Sequence, residues 1–336
     1  MHEISLEKYN LRTDLIVDEK DDSVVTNIKN ISNIKIEESK VAKDGNFKKG
    51  NYKTITFTDI SDKDNYKNVL QVFKDSFKDL LKINKIKEEA TCLIVGLGNI
   101  KSTPDSLGPL VLENILVTKH LFSFGEVENG YRNVSILKPD VTGTTGIETS
   151  SLIKGVVDVV RPDFLIVIDA LASSSIERVN KTIQMSDSGI KPGSGVGNSR
   201  LEISSTTYHI PVLAIGVPTI VDAATIVSDT INYMYKQISY KMNNINNPKN
   251  KLLINNDFNY LKESTTLDNN SKEELLGLIG TLNDKDFKKL IEEVLSPINY
   301  NLMVTPKDID FTIEKLALLI AQGLNLSLHE NYKPTK

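Results

Sequence analysis

Three short, unbroken apolar runs constrain this chain more than any other feature: residues 92–96, 164–168 and 212–215. A run of that length, bounded by turn residues, reads as a strand buried on both faces. Helical text lies between or after the runs, at 108–118, 149–160 and 223–235. Buried strands alternating with helices predict an α/β fold: a mostly parallel central sheet covered by helices on both faces. An additional, smaller peripheral β/irregular region is expected before it, where residues 21–65 are rich in Lys, Asp and Asn and only 52–57 is strand-like. Between them, apolar residues at three- and four-residue spacing over 65–83 predict a helix.

The first run ends in Gly96-Leu97-Gly98-Asn99, followed by Thr103-Pro104-Asp105-Ser106-Leu107-Gly108-Pro109. The second ends in Asp169. Ligands bind at the carboxyl edge of open α/β sheets, so adjacent parallel strands would bring both acids to that edge. Two carboxylates a few ångströms apart cannot both ionise cheaply and hold one shared proton. The ionised partner can then draw a proton from water while the other protonates a carbonyl, which is peptide hydrolysis without a covalent intermediate. An Asp just past a strand also serves as a turn former or helix cap, and on pattern alone both readings stay open.

Other chemistries fit less well. The glycine-rich segments 96–101 and 193–198 lack dinucleotide-fingerprint and P-loop spacing, so no cofactor is expected. The chain has four histidines (His2, His120, His209, His329), no paired-histidine motif and one cysteine, Cys92; no metal is expected. Serines 173–175 and Ser194 lack the nucleophile-elbow pattern. Thr142–Thr149 reads as a loop feeding a helix, with Thr145 or Gly146 near its start, and its amides serve equally well for a carbonyl oxygen or for an ordinary helix start. Gly98 and Asn99 are the other candidates to support a substrate.

The net charge of −4 gives no basic footprint for nucleic acid, and no stretch approaches the roughly 18 apolar residues of a membrane span. The N-terminus lacks the apolar core of a signal peptide. A cytoplasmic protein with neither nucleic-acid nor membrane partners is expected. Five segments are anticipated: 1–14, a peripheral region 15–90, a catalytic core 91–240, an Asn/Lys/Ser-rich excursion 241–272, and a helical region 273–336 packing on the core.

The text Cys92–Asn99, Thr103–Pro109, Gly146–Thr149, Ile168–Ala172, Ser175–Asn180, Ser186–Ile190, Pro192–Asn198, Ala214–Thr219 and Leu302–Lys307 resembles the germination proteases of spore-forming Firmicutes. The resemblance covers nearly the whole chain and is weakest at 21–65 and 241–272. It implies an atypical aspartic endopeptidase, similar in fold to hydrogenase-maturation proteases, that degrades small acid-soluble spore proteins during germination. It further implies a forespore zymogen that removes residues 1–14 by cutting between Asp14 and Leu15, assembles as a homotetramer and needs no metal. The family's two essential aspartates fall on Asp105 and Asp169. A metal-dependent hydrolase of the same fold and a non-catalytic scaffold are the alternatives. Three departures stand out: Asp140 and His209 occupy positions where the family commonly has glycine, and Ser174 replaces a frequent arginine.

Overall fold

The computed structural model describes residues 15, 24–42, 48–125, 127–192, 201–244, 266–295 and 302–333. Asp14, the 193–198 glycine segment and most of the 241–272 excursion lie outside the described residues. The chain divides into two compact units, 1–220 with 305–336, and 221–304.

The first unit holds the sheet. Its strands are β1 (Val24–Ile31), β2 (Ile34–Val41), β3 (Gly50–Thr56), β4 (Cys92–Gly96), β5 (Val134–Leu137), β6 (Phe164–Ser173), β7 (Thr182–Ser186) and β8 (Val212–Asp222). Their order is β1-β2-β3-β7-β8-β6-β4-β5. Strands β5, β4 and β6 run parallel, with Gly96 opposite Ile168. The Leu165 N–H donates to Pro211 O (2.9 Å), and further along both strands Leu171 lies against Gly216, so β8 continues the parallel part. From β8 outward through β7, β3, β2 and β1 every pairing is antiparallel.

The short α3 (Lys119–Phe124) and α6 (Ser205–Tyr208) lie in connections between strands. Helices cover both faces. On one, α1 (Lys63–Ile83), α2 (Leu107–Glu113) and α10 (Ile309–Leu328) pack Phe73, Phe77, Leu107 and Leu316 over Ile94, Ile166, Ile183 and Leu213. Asp62 caps α1 by accepting from the Asp64 and Asn65 amides. On the other face, Ile153 of α5 (Thr149–Val160), with Ile190, Ile203 and Tyr208, covers Leu93, Val95, Leu165 and Val167. Helix α10 is long and apolar enough to cross a membrane by length and composition; here its apolar stripe, from Ile313 to Leu328, is part of the core.

The expected α/β architecture is present, with three differences. The β region before α1 is not a separate appendage: β1–β3 extend the central sheet through β7, which sequence reading did not identify. Strand β6 continues to Ser173 rather than ending at Asp169, and β8 continues to Asp222. The unit boundary also differs from the anticipated segments, because 221–240 belongs with the second unit and α10 with the first. The second unit comprises α7 (Ala223–Asn244), α8 (Asn269–Leu276), α9 (Asp284–Leu295) and β9 (Met303–Val304), the last pairing with Val221 and Asp222. Asp222 receives the Thr225 amide and hydroxyl, each at 2.7 Å, and so fixes the start of α7.

Asp140 and His209 both have left-handed backbones, at φ 58° and 59°, which explains why glycine suits these positions. His209 closes the turn Ser205–Tyr208 and its side chain is exposed. We expect His209→Gly to raise stability in urea titrations by about 0.5–1 kcal/mol, the left-handed strain of roughly 1–2 kcal/mol less the added chain entropy. Asp140→Gly should gain less, because Asp140 Oδ1 accepts the Val141 N–H at 2.7 Å.

At the N-terminal end of the parallel strands, His329 is buried beside Arg132. Its Nδ1 accepts the Arg132 N–H (3.2 Å), and the Arg132 guanidinium donates to Lys87 O and Ala90 O and lies over the Phe164 ring. Burial, with the Arg132 charge adding to it, lowers the His329 pKa from 6.5 to about 4. The unfolded chain therefore binds a proton between those values that the folded chain does not, and stability falls as pH drops through that window. The loss by pH 4 should be on the order of 3 kcal/mol, read as the urea midpoint against pH. His329→Gln should flatten that part of the slope.

Candidate active site

The site arises from unequal strand lengths. Strand β4 stops at Gly96 while its neighbour β6 runs on five residues past Ile168. The Leu97 N–H donates to Ile168 O at 2.8 Å, the last bond between these two chains that continues the ladder. Beyond it the first chain turns away through Gly98, whose φ of 110° suits glycine. Asp169 thus stands where β4 has already ended. It is 7% exposed, and the Ala170 N–H donates to its Oδ1 at 3.0 Å. Alternation along β6 puts Asp169 on the face of Leu165, Val167 and Leu171, opposite α1, α2 and α10.

Residues 97–106 fold back over the gap left by β4. The Asn99 N–H donates both to Asp105 O (3.0 Å) and to Asp105 Oδ2 (2.9 Å), closing the loop on itself. A Cβ on Gly98 would sit 2.0 Å from Asp105 O, so only glycine allows this approach. Thr103–Asp105 form one 3-10 turn leading into α2. The wholly buried Thr219 of β8 donates its hydroxyl to Pro104 O at 2.7 Å, and Thr305 Oγ1 donates in turn to Thr219 O at 2.8 Å. The Asp105 loop is therefore closed on itself by Asn99 and tied to β8 by Thr219, and β6, which carries Asp169, lies between β4 and β8.

The other predicted residues lie differently. Thr145 and Gly146 do not start α5. They end a separate turn, α4 (Thr142–Thr145), where the Thr145 and Gly146 amides donate to Val141 O (3.1 Å) and Thr142 O (2.8 Å). Those amides are committed within the turn, which corrects the expectation that they are available to a carbonyl oxygen. Helix α5 begins at Thr149, capped by Glu148, which accepts from the Ser151 amide and the Ser150 hydroxyl. Burial opposes ionisation of Glu148, but these hydrogen bonds prevail and its pKa is lowered. Burial, with the Glu148 charge, pushes the neighbouring Tyr208 up to about 12. Serines 173 and 175 bond to each other's turn. Burial pushes the Cys92 thiol up, as expected of an inert core thiol.

Two residues carry contacts that sequence reading did not assign. Thr219 was legible only as part of a motif. Gln184, in the unrecognised β7, is wholly buried and accepts the Leu15 N–H at 2.7 Å. Two open clefts of about 370 and 430 Å³ lie at the opposite, N-terminal end of the parallel strands, beside Asn84, Asp163, His209 and Pro211; neither touches Asp105 or Asp169. Among the described residues, no three His, Cys, Asp or Glu side chains converge as a metal site.

A family model described as germination protease matches residues 3–335. The chain is 45% identical over 356 residues to the germination protease of Bacillus cereus ATCC 10987, covering 97% of this chain and 95% of that one. It is 46% identical over 352 residues to the Bacillus licheniformis germination protease, covering 98% and 96%. Among solved structures, a NiFe hydrogenase maturation protease from Thermococcus kodakarensis aligns with 43% of this chain and 80% of its own, at 18% identity and a TM-score of 0.29.

The Thr219 tether can be tested directly. Thr219→Val keeps the shape of the side chain but leaves the Pro104 carbonyl without its donor, which should cost about 1–3 kcal/mol in urea denaturation. An unchanged midpoint would show that the Asp105 loop does not depend on this bond.

Proposed function

The chain belongs to the germination protease family, and from that premise we propose that it is an endopeptidase opening the degradation of small acid-soluble spore proteins, with Asp105 and Asp169 activating water. The supporting observation is the register of β4 and β6. Gly96 lies opposite Ile168, so β6 carries Asp169 past the end of β4, and Pro104 of the Asp105 loop accepts from Thr219 on β8, the strand on the other side of β6. In this reading one carboxylate is ionised and takes a proton from water as it attacks the peptide carbonyl. The other, protonated, gives its proton to that carbonyl oxygen and takes one back from the gem-diol hydroxyl as the intermediate collapses. The first, now carrying the proton from water, delivers it to the leaving nitrogen as the C–N bond breaks. The pair works in the singly protonated state, which gives the activity its acid dependence.

The same reading makes the full chain a zymogen of the spore core that removes its own first 14 residues, and a homotetramer. Leu15 supports the first point, since it follows an acid in the sequence and is held against the folded body by Gln184. Gly98 and Asn99 would support the site by holding the Asp105 loop.

The isosteric variants Asp105→Asn and Asp169→Asn decide the catalytic assignment. Each should lower kcat on purified small acid-soluble spore proteins by roughly 10²–10⁴-fold, the usual worth of acid–base catalysis. Thermal unfolding and subunit assembly should stay close to those of the parent. N-terminal sequencing after mild acid incubation should find a chain starting at Leu15 only in the parent. Near-normal turnover in either variant would sink the assignment.

A further inference from the structure

Leu15 is the only described residue before Val24, and its docking is specific. Its N–H donates to Gln184 Oε1, and its side chain packs against Val41 and Tyr52 and against the cluster that includes Leu171. Gln184 has no exposed surface. It faces Thr54 of β3 on one side and Gly216 of β8 on the other. Alternation along β7 places Ile183 and Met185 in the helix-covered core of α1 and α10, so Gln184 points to the opposite face. That is the face on which Asp169 lies.

The distance across the face matters. Gln184 is on β7 and Asp169 on β6, with β8 between them. Two interstrand spacings are roughly 10 Å. The intervening position is Gly216, and the Leu171 side chain covers it: a Cβ there would meet Leu171 Cδ1 at 2.3 Å. A nitrogen bonded to Gln184 is therefore separated from Asp169 by the width of a strand and by an apolar side chain.

We propose that Gln184 is a latch on the N-terminal segment: its buried carboxamide holds the Leu15 nitrogen over β7, and the 14–15 bond is hydrolysed only in molecules where this hydrogen bond has opened. The inference rests on the reading that this bond is cut by the enzyme itself. Hydrolysis adds water across the amide; the carbonyl carbon of residue 14 gains the hydroxyl, and the Leu15 nitrogen gains the proton as the C–N bond breaks. Gln184 takes no part in that chemistry. It is a positioning residue that sets how often the bond is available.

The test compares Gln184→Leu, which removes the acceptor, with Gln184→Glu, which keeps one. At a fixed, mildly acid pH, the chain starting at Leu15 should appear about fivefold faster in Gln184→Leu, the population change expected when one net hydrogen bond is lost. Gln184→Glu should process like the parent. Processing of Gln184→Leu at or below the parent rate overturns the latch. Amide hydrogen exchange at Leu15 in the full-length parent at neutral pH tests the contact without any variant. Exchange slower than in a peptide of the same sequence supports it, and exchange at the peptide rate overturns it even if Gln184→Leu does not fold. A parent that never shortens, with Leu15 still protected, would refute self-processing and leave the anchoring of Leu15 by Gln184 in place.

Discussion

The active edge depends on how closely backbone passes over backbone at Gly96 and Gly108. A Cβ on Gly96 would stand 2.5 Å from Gly108 O, and one on Gly108 would stand 2.2 Å from Leu97 O. Optimal separation for non-bonded carbon is about 3.5–4 Å, so any side chain at either position would push α2 off the end of β4. With both absent, Leu107, Val111 and Leu112 reach the core, and the residues just before α2 are drawn onto the strand end. Asp105 is one of them. Its two bonds from the Asn99 amide and the Thr219 tether on Pro104 then refine a position that close packing has already imposed.

The two faces of the sheet carry different chemistry. The face under α1, α2 and α10 is apolar from β2 to β5 apart from the buried Lys53, which pairs with Glu38 and Asp79. The opposite face is apolar only beneath β4, β6 and the start of β8; toward β2 it becomes polar. Register aligns Glu37, Thr54, Gln184 and Gly216 across four strands, and Ser39, Tyr52, Ser186 and Ala214 in the next row. All of these polar side chains are buried. Buried polar groups are expensive unless paired, and a row of them is ill suited to a core whose only task is stability. The Leu15 amide uses one of these buried groups, Gln184.

This asymmetry also explains how much of the molecule was legible from its sequence. Strands β4, β6 and β8 are buried against apolar neighbours on both faces, so they read as continuous apolar runs and were located from residues alone. Strand β7, Thr-Ile-Gln-Met-Ser, alternates like a strand with one wet face, yet both its faces are buried. Nothing local marks it as the bridge between the parallel core and β1–β3. Asp105 and Asp169 were legible as candidates because Asp169 directly follows one strong strand signal and Asp105 lies in the loop after another. Thr145 and Gly146 were misplaced because a short turn with its own left-handed glycine resembles a helix start in sequence. Asp140 and His209 looked like anomalies until the backbone showed left-handed residues that glycine, aspartate and histidine all tolerate.

The two ends of the parallel strands divide the titrating groups between them. At the N-terminal end, Arg132 and His329 are buried together, and Nδ1 of His329 can accept the Arg132 N–H only while the imidazole stays neutral. At the C-terminal end, Asp105 is partly exposed and Asp169 is buried. Falling pH removes the preference for the folded state that neutral His329 contributes, between 6.5 and about 4. Under the proposed mechanism a carboxylate pair needs a single proton, so the working pH is bounded from above by that chemistry at one end of the sheet and from below by stability at the other.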